Sequence, residues 1–292
     1  MKKILITGAT GNVGMEVIKS LDKLHHELEI YAGVFNVEKD KLKLKNYSVN
    51  IVHFDFAAIS TYKPALDNCE ILFLLRPPQL SEVNKYFKPI IDLAVRSGVK
   101  HIVFLSVQGV EKSKIIPHYK IEKLIVKSNI PYTFLRPAYF MQNFTSTLKS
   151  DLVNHHRIFL PAGNAKFTLI DASDIGKVAA KVLTETEKHL NKSYELTNNE
   201  KLSFGEMAEK LSKGLSTDIK FESPNLVKFF MVKRKEKIPT MLILVMIMLH
   251  YLPRFQKAPN LTNWVKTITG KEPKTFDEFV SENKNALISN DY

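Results

Sequence analysis

Residues Lys3 to Gly14, read as KILITGATGNVG, constrain the fold more than any other stretch, because a short apolar strand runs directly into three glycines spaced three apart. Ile4, Leu5 and Ile6 form the uninterrupted apolar run expected of a strand buried on both faces of a parallel sheet. Val13, Val17, Ile18 and Leu21 then recur at helical spacing, so Gly8, Gly11 and Gly14 fall in the turn between strand and helix. Each glycine has a mechanical reason in a dinucleotide-binding turn: the first allows a tight bend, the second lets a pyrophosphate approach the backbone, and the third lets helix and strand pack closely. Free N–H groups at the helix start would bind the phosphates. Gly8, Thr10, Gly11, Asn12, Val13 and Gly14 are therefore the expected phosphate cradle.

The chain continues in the same rhythm. Leu28 to Val34, Ile51 to Phe54, Ile71 to Leu75, His101 to Leu105 and Tyr132 to Leu135 read as strands, with helical patterns between them. Val83 opens a long helix that ends at Ser97-Gly98, and Pro117 opens one closed by Asn129-Ile130-Pro131. Regular alternation predicts an α/β fold, a doubly wound parallel Rossmann sheet with right-handed crossovers. Past about residue 155 the rhythm changes, and the expected organisation is a domain over 1–155, with return elements at about 166–190, and a smaller helix-rich C-terminal substrate lobe over 156–292. Asp171 and Asp174 are expected to cap a helix. Ser203 with Glu206 and Thr275 with Glu278 match the capping-box spacing.

Composition narrows the class of protein. With 45% hydrophobic residues among 292, the chain can bury a sizeable core. Its single cysteine, Cys69, excludes a disulfide framework and a cysteine metal cluster, and reads as a buried small side chain. The first apolar run stops after three residues, too short for a secretory segment, so a cytoplasmic location is expected. The apolar stretch from Met241 to Leu252 is too short to cross a bilayer and is expected to be a buried helix or one lining an apolar pocket; no membrane partner is expected. The net charge of +12 comes mostly from scattered lysine, densest at Lys228, Lys233-Arg234-Lys235 and Lys237. No nucleic-acid motif accompanies it, so a nucleic-acid partner is not expected.

The glycine spacing of TGATGNVG resembles that of the extended and atypical short-chain dehydrogenase/reductases. Together with Phe104-Leu105-Ser106-Val107-Gln108-Gly109-Val110, with Ile130 to Pro137 leading into Tyr139-Phe140-Met141-Gln142-Asn143-Phe144, and with Thr269 to Phe276, it is similar to the NmrA-like branch over nearly the full chain. The resemblance implies an NAD(P)-binding fold in a family that holds both reductases and NAD(P) sensors. It implies that Asp55 holds the adenine amine, that Leu75, Arg76 and Pro77 border the ribose, with an ordinary surface arginine as the alternative for Arg76, and that Phe56, Ser106 and Val107 also contact the cofactor. It further implies that Pro137, Tyr139 and Phe140 border the nicotinamide and that Met141, Asn143 and Phe144 border the substrate, Tyr139 and Phe140 being equally readable as core aromatics. Many relatives carry arginine before the asparagine at the end of the second strand, where this chain has Val34-Phe35-Asn36. Neither the acid that binds an NAD ribose nor the arginine that accepts the NADP phosphate is present there. Lys39 and Lys41 can reach a phosphate as point charges and Phe35 can stack on adenine, which places NADP ahead of NAD.

Ser106, Tyr119 and Lys123 reproduce the serine and Y-x-x-x-K spacing of the catalytic short-chain enzymes, in which tyrosine exchanges the proton, lysine lowers its pKa and serine positions the carbonyl. With Ile121, Leu124 and Ile125 facing inward, however, Tyr119 and Lys123 point to the opposite side of the helix. His118 and Glu122 match the His and Glu of NmrA-like relatives, and an unperturbed histidine suits general acid work at neutral pH, or the orientation of a bound carbonyl. Three readings stay open: His118 acts in the pocket, the Tyr119/Lys123 pair does, or neither does and water supplies the proton. His25-His26 and His155-His156 are adjacent pairs unsuited to a helix-borne metal site, and no metal is expected. The expected activity is hydride transfer from NAD(P)H to a small apolar or aromatic electrophile such as a quinone or conjugated carbonyl. The alternatives are an NAD(P) sensor acting on a regulatory protein partner and, behind it, a nucleotide-sugar epimerase.

Overall fold

The computed structural model describes residues 1–289, so the last three residues of the expected C-terminal lobe lie outside the described residues. The apolar run at Ile4 to Ile6 lies within β1 (Lys2–Thr7), where all three side chains are fully buried. The chain then alternates through α1 (Asn12–Asp22), β2 (Leu28–Val34), α2 (Val37–Leu44), β3 (Asn50–His53), α3 (Tyr62–Leu66), β4 (Ile71–Leu74), α4 (Val83–Arg96), β5 (His101–Leu105), α5 (Pro117–Lys127) and β6 (Tyr132–Pro137). Shorter elements follow: β7 (Tyr139–Phe140), α6 (Lys149–His155), β8 (Arg157–Phe159), β9 (Lys166–Ile170), α7 (Ala172–Thr184), β10 (Lys192–Leu196), β11 (Lys201–Ser203), α8 (Phe204–Leu215) and β12 (Lys220–Glu222). The chain closes with α9 (Leu226–Lys235), α10 (Thr240–Tyr251), α11 (Trp264–Thr269), α12 (Phe276–Glu282) and α13 (Lys284–Ile288).

Seven strands form one sheet in the order β10-β6-β5-β4-β1-β2-β3, every neighbouring pair parallel. This is the doubly wound sheet that the strand and helix rhythm predicts. The strand that returns to it is β10, which the sequence pattern does not announce: only Tyr194 and Leu196 of its five residues are buried. β9, within the stretch expected to return to the sheet at about 166–190, instead joins β7 and β11 in a separate three-stranded sheet.

The chain divides into two compact units. The first comprises Met1–Pro137, Ala172–Leu196 and Trp264–Lys271, and the second Ala138–Asp171, Thr197–Asn263 and Glu272 onward. In the first, Phe54, Tyr62, Phe87, Phe104 and Phe134 fill one face of the sheet with aliphatic neighbours. Cys69 is buried there as expected; its Sγ donates to Ile71 O at 3.1 Å, and burial pushes its pKa up to about 11. In the second, Phe144, Phe159, Phe204, Phe229, Phe276 and Phe279 are fully buried in one cluster. Each such side chain contributes roughly 1.5–3 kcal/mol by leaving water. Both expected capping boxes form, Ser203 with Glu206 on α8 and Thr275 with Glu278 on α12. The second unit also holds a buried ion cluster: Lys233 Nζ donates to Asp151 and, at 2.8 Å, to Glu236, and Arg157 Nε donates to Asp151 at 3.1 Å.

α10 departs from expectation. Only Ile243, Met246 and His250 are buried, a single stripe at i, i+3 and i+7, while Met241, Leu242, Leu244, Val245, Met248 and Leu249 are exposed. Its twelve residues span about 18 Å. Among the described residues no helix is long and apolar enough to cross a membrane.

Candidate functional site

Strand order in the first unit reverses between β1 and β4, which places a crevice at the carboxyl ends of these strands. Thr7, the last residue of β1, is fully buried; its Oγ1 accepts from Leu75 N at 2.8 Å and donates to Phe73 O at 3.3 Å, tying the two strand ends together. The turn then bends at Gly8, whose φ of +58° lies in the left-handed region. Gly11 N donates to Gly8 O at 3.0 Å, and Gly11 caps α1 without any side-chain hydrogen bond. The first-turn N–H groups of Asn12, Val13 and Gly14 have no intrahelical acceptor, and no acidic side chain lies in that turn. A Cβ at Gly14 would sit 2.3 Å from Gly8 O, so only glycine permits this closeness of turn and helix. Gly8, Gly11 and Asn12 are exposed and Thr10 is half-buried, while Val13 anchors the helix in the core. The result is an anion cradle of backbone dipoles suited to a pyrophosphate.

At the end of β2, Phe35 is 70% exposed, its ring 6.5 Å from that of His53. Asn36 is an N-cap: its Oδ1 accepts from Lys39 N at 3.0 Å and starts α2, on which Lys39 and Lys41 are exposed. Asp55 Oδ1 accepts from Ala57 N at 2.8 Å, which shapes the turn after β3. The ring of Phe56, expected among the cofactor contacts, is in the core, 4.9 Å from Phe54 and 5.1 Å from Phe87, so any part it takes in binding falls to its backbone.

The end of β4 carries the most telling polar arrangement. Arg76, for which an ordinary surface role was one reading, is half-buried: Nη1 donates to Pro77 O, Pro78 O and Leu80 O at 3.1, 3.0 and 2.9 Å, and Nε donates to His118 Nε2 at 3.2 Å. Because Nε2 accepts, the imidazole proton sits on Nδ1. Burial, and then the adjacent guanidinium, push the His118 pKa down to about 3. This overturns the unperturbed histidine expected from the sequence: at neutral pH His118 is a neutral Nδ1–H donor with no imidazolium proton to give. Its ring packs against Phe104, 6.2 Å between centroids.

Ser106, at the end of β5, is buried, and its Oγ has no hydrogen-bond partner in the structure, although its N–H donates to Leu135 O at 2.7 Å. A buried hydroxyl without a partner is costly, and a bound polar group would relieve that cost. Val107 is half-buried beside Ser106, and Leu75 and Pro137 are buried at the ends of β4 and β6.

On α5 Tyr119 is half-buried and Lys123 exposed, with Lys123 Nζ over the Tyr119 ring 5.5 Å from its centroid. Glu122, the other half of the His and Glu match, is occupied by a bidentate pair with Arg136, at 3.0 and 2.8 Å, and holds α5 to β6.

Apart from Pro137, the residues expected at the nicotinamide and substrate lie in the second unit. Met141 and Phe144 are fully buried in its core, which corrects the expectation that they border a substrate. Tyr139, Phe140 and Asn143 are half-buried. His250, which no sequence signal singled out, donates from Nδ1 to Met246 O at 2.6 Å and so can accept the Tyr139 hydroxyl at Nε2, 3.3 Å away. Burial holds His250 neutral, its pKa lowered to about 4, and pushes the Tyr139 phenol well above its usual value. Among the described residues no cluster of His, Cys, Asp or Glu could hold a metal ion.

Comparison with known proteins matches residues 1–279 to the model of the NmrA-like family. The chain is 29% identical over 283 residues to Prestalk A differentiation protein A of Dictyostelium discoideum, covering 96% of this chain and 91% of that one. It is 27% identical over 240 residues to Quinone oxidoreductase 2 of Escherichia coli, covering 81% and 82%. Among solved structures it resembles the Citrobacter sp. triphenylmethane reductase complexed with NADP(H), with a TM-score of 0.85, 26% identity, and 96% and 99% of the two chains covered.

Proposed function

The chain belongs to the NmrA-like family, and from that premise we propose that it is an NAD(P)H-dependent reductase that passes hydride to a small apolar or aromatic electrophile, quinone-like or a conjugated carbonyl. The observation that carries the reading is the buried, unpartnered Ser106 Oγ at the strand ends that also hold the phosphate cradle. Similarity to a quinone oxidoreductase and to a dye reductase solved with NADP(H) supports the same class of acceptor.

In this reading the nicotinamide supplies the hydride when bound. The N–H groups of Asn12, Val13 and Gly14 hold the pyrophosphate. Phe35 covers the adenine, Lys39 and Lys41 face a 2′-phosphate, and Asp55 faces the adenine amine. Ser106 Oγ takes a ligand hydrogen bond, and Arg76 orients His118. Neutral His118 offers its Nδ1–H to an acceptor oxygen and polarises it without surrendering a proton, as a neutral imidazole can. The acceptor gains one hydride and one proton in all, and water supplies the proton. Tyr119 and Lys123 have no part in the transfer.

The test is turnover of purified protein with NADPH and NADH against a panel of quinones, azo compounds and enones. Oxidation of cofactor coupled to loss of at least one acceptor supports the reading. A second reading, a sensor that binds NAD(P) and acts on a protein partner, is favoured by the absence of an imidazolium at His118 and by similarity to a protein named for differentiation. Saturable cofactor binding with no turnover of any acceptor, and different affinities for the oxidised and reduced forms, would decide for the sensor.

A further inference from the structure

α10 is apolar on nearly every face, yet the fold buries only one stripe of it. Helices of this kind are normally covered on all sides by protein or lipid. Here Met241 is 72% exposed, and Leu244, Val245, Met248 and Leu249 are open as well. The patch does not stop at the helix end. Phe255, 71% exposed, follows in the turn after it and packs against Tyr251 at 5.3 Å. α9, which packs against α10, exposes Val227 and Met231, and these with Lys228 and Lys235 line a shallow cavity of about 350 Å³.

Charge identifies what covers this surface. Between residues 226 and 257 the sequence has seven basic residues, at 228, 233, 234, 235, 237, 254 and 257, and one acidic residue, Glu236. Lys233 is buried and Glu236 is spent on it, as described above. The exposed charges of the segment are thus cations: Lys228, Arg234, Lys235, Lys237, Arg254 and Lys257. A second copy of the chain is a poor cover, because a two-fold contact would set this patch against itself and bring like charges together. A neutral apolar partner would leave the cations unanswered. A surface that is apolar within and anionic at its rim answers both, and that is the chemistry of an anionic lipid bilayer.

We propose that α9, α10 and the following turn dock on the surface of anionic membranes, with α10 lying in the interface rather than crossing it. This departs from the expectation of no membrane partner, which considered only the length of the apolar segment. The docking is independent of the reductase reading and of whether any acceptor is reduced.

Co-sedimentation of the full chain with vesicles tests it directly. Phosphatidylcholine vesicles containing about a third phosphatidylglycerol should carry the protein down at low salt, with binding at least tenfold weaker to pure phosphatidylcholine and reduced at several hundred millimolar salt. The triple reversal Lys228→Glu, Lys235→Glu, Lys237→Glu should reduce binding by at least tenfold, and the double change Leu244→Asp, Leu249→Asp should do so separately. All five positions are exposed, and an unchanged melting temperature and unchanged NADPH binding verify that the variants fold. Equal sedimentation with neutral and anionic vesicles, or folded variants that bind as well as the parent, would overturn the proposal. So would a dimer in solution that the same apolar substitutions dissociate, since a second copy would then cover the face.

Discussion

α5 and α10 have nearly the same length, eleven and twelve residues, and meet different fates. α5 mixes lysines with isoleucines, buries Ile121 and Ile125 against the sheet, and turns Lys120, Lys123 and Lys127 to solvent. α10 carries more apolar surface and leaves most of it open. Apolar content measures how much surface a helix needs to cover; the neighbouring elements decide whether it is covered. The two units differ correspondingly in their polar groups. The sheet unit leaves the Ser106 hydroxyl without a partner beside a backbone anion cradle, whereas the second unit matches its buried charges among themselves around Lys233 and Asp151. On the proposed readings, the first unit receives a polar ligand and the second presents a surface.

The largest test of that contrast is Asp151→Ala, which removes the buried carboxylate that Lys233 and Arg157 share and leaves them only the more exposed Glu236 and Glu222. Breaking a buried pair by removing one partner costs about 3–5 kcal/mol. Thermal unfolding should show it as a fall of roughly 10 °C. An unchanged melting temperature would mean the second unit does not depend on its ion cluster.

Acid sharpens the comparison next, because both units bury neutral histidines. His101 has Nε2 2.9 Å from Thr133 Oγ1, and burial lowers its pKa to about 4; His118 and His250 are lowered to about 3 and about 4. The unfolded chain takes up protons near pH 6.5 that these folded imidazoles refuse, so their contribution is fully present above pH 6.5 and lost as pH falls from there toward 4. Urea titrations across that window should lose several kcal/mol of stability, up to about 3 kcal/mol for each histidine held neutral. Stability flat or rising toward pH 4 would contradict the buried neutral state.

Smaller effects separate ligand binding from folding. Ser106→Ala should leave stability equal or slightly higher, since it removes an unsatisfied buried hydroxyl, and weaken NADPH by about fivefold, close to 1 kcal/mol. A loss of stability without a loss of affinity would make Ser106 a packing residue. Smallest of all, Tyr119→Phe should change turnover less than about twofold, near 0.4 kcal/mol. A large loss would return the proton to the Tyr119/Lys123 pair.

Local physics made much of this legible in the sequence. A buried strand, a glycine turn and an amphipathic helix are neighbours in the chain, so β1 and α1 could be read from twenty residues, and both capping boxes from four residues each. β10 escaped because it lies at the sheet edge, where half of Lys192 to Leu196 faces outward and the apolar pattern is thin. The state of His118 depends on Arg76, 42 positions away, and Tyr139 meets His250 across 111 positions. No local pattern encodes such pairs. Met141 and Phe144 illustrate the converse: a motif neighbourhood suggested ligand contact where packing uses both as core.

The central claim is that the turn from Gly8 to Gly14 binds the dinucleotide pyrophosphate. Its most direct test is a fluorescence titration of NADPH against the parent protein and Gly11→Asp. Aspartate is a favourable helix cap, so the variant should fold normally. Its carboxylate would face a phosphate, and two like charges 4 Å apart near a protein surface repel by about 4 kcal/mol, roughly a thousandfold in affinity. Saturable binding by the parent and that loss in a folded variant are the predicted result. Equal affinity in the two proteins, or no binding by the parent, would contradict it.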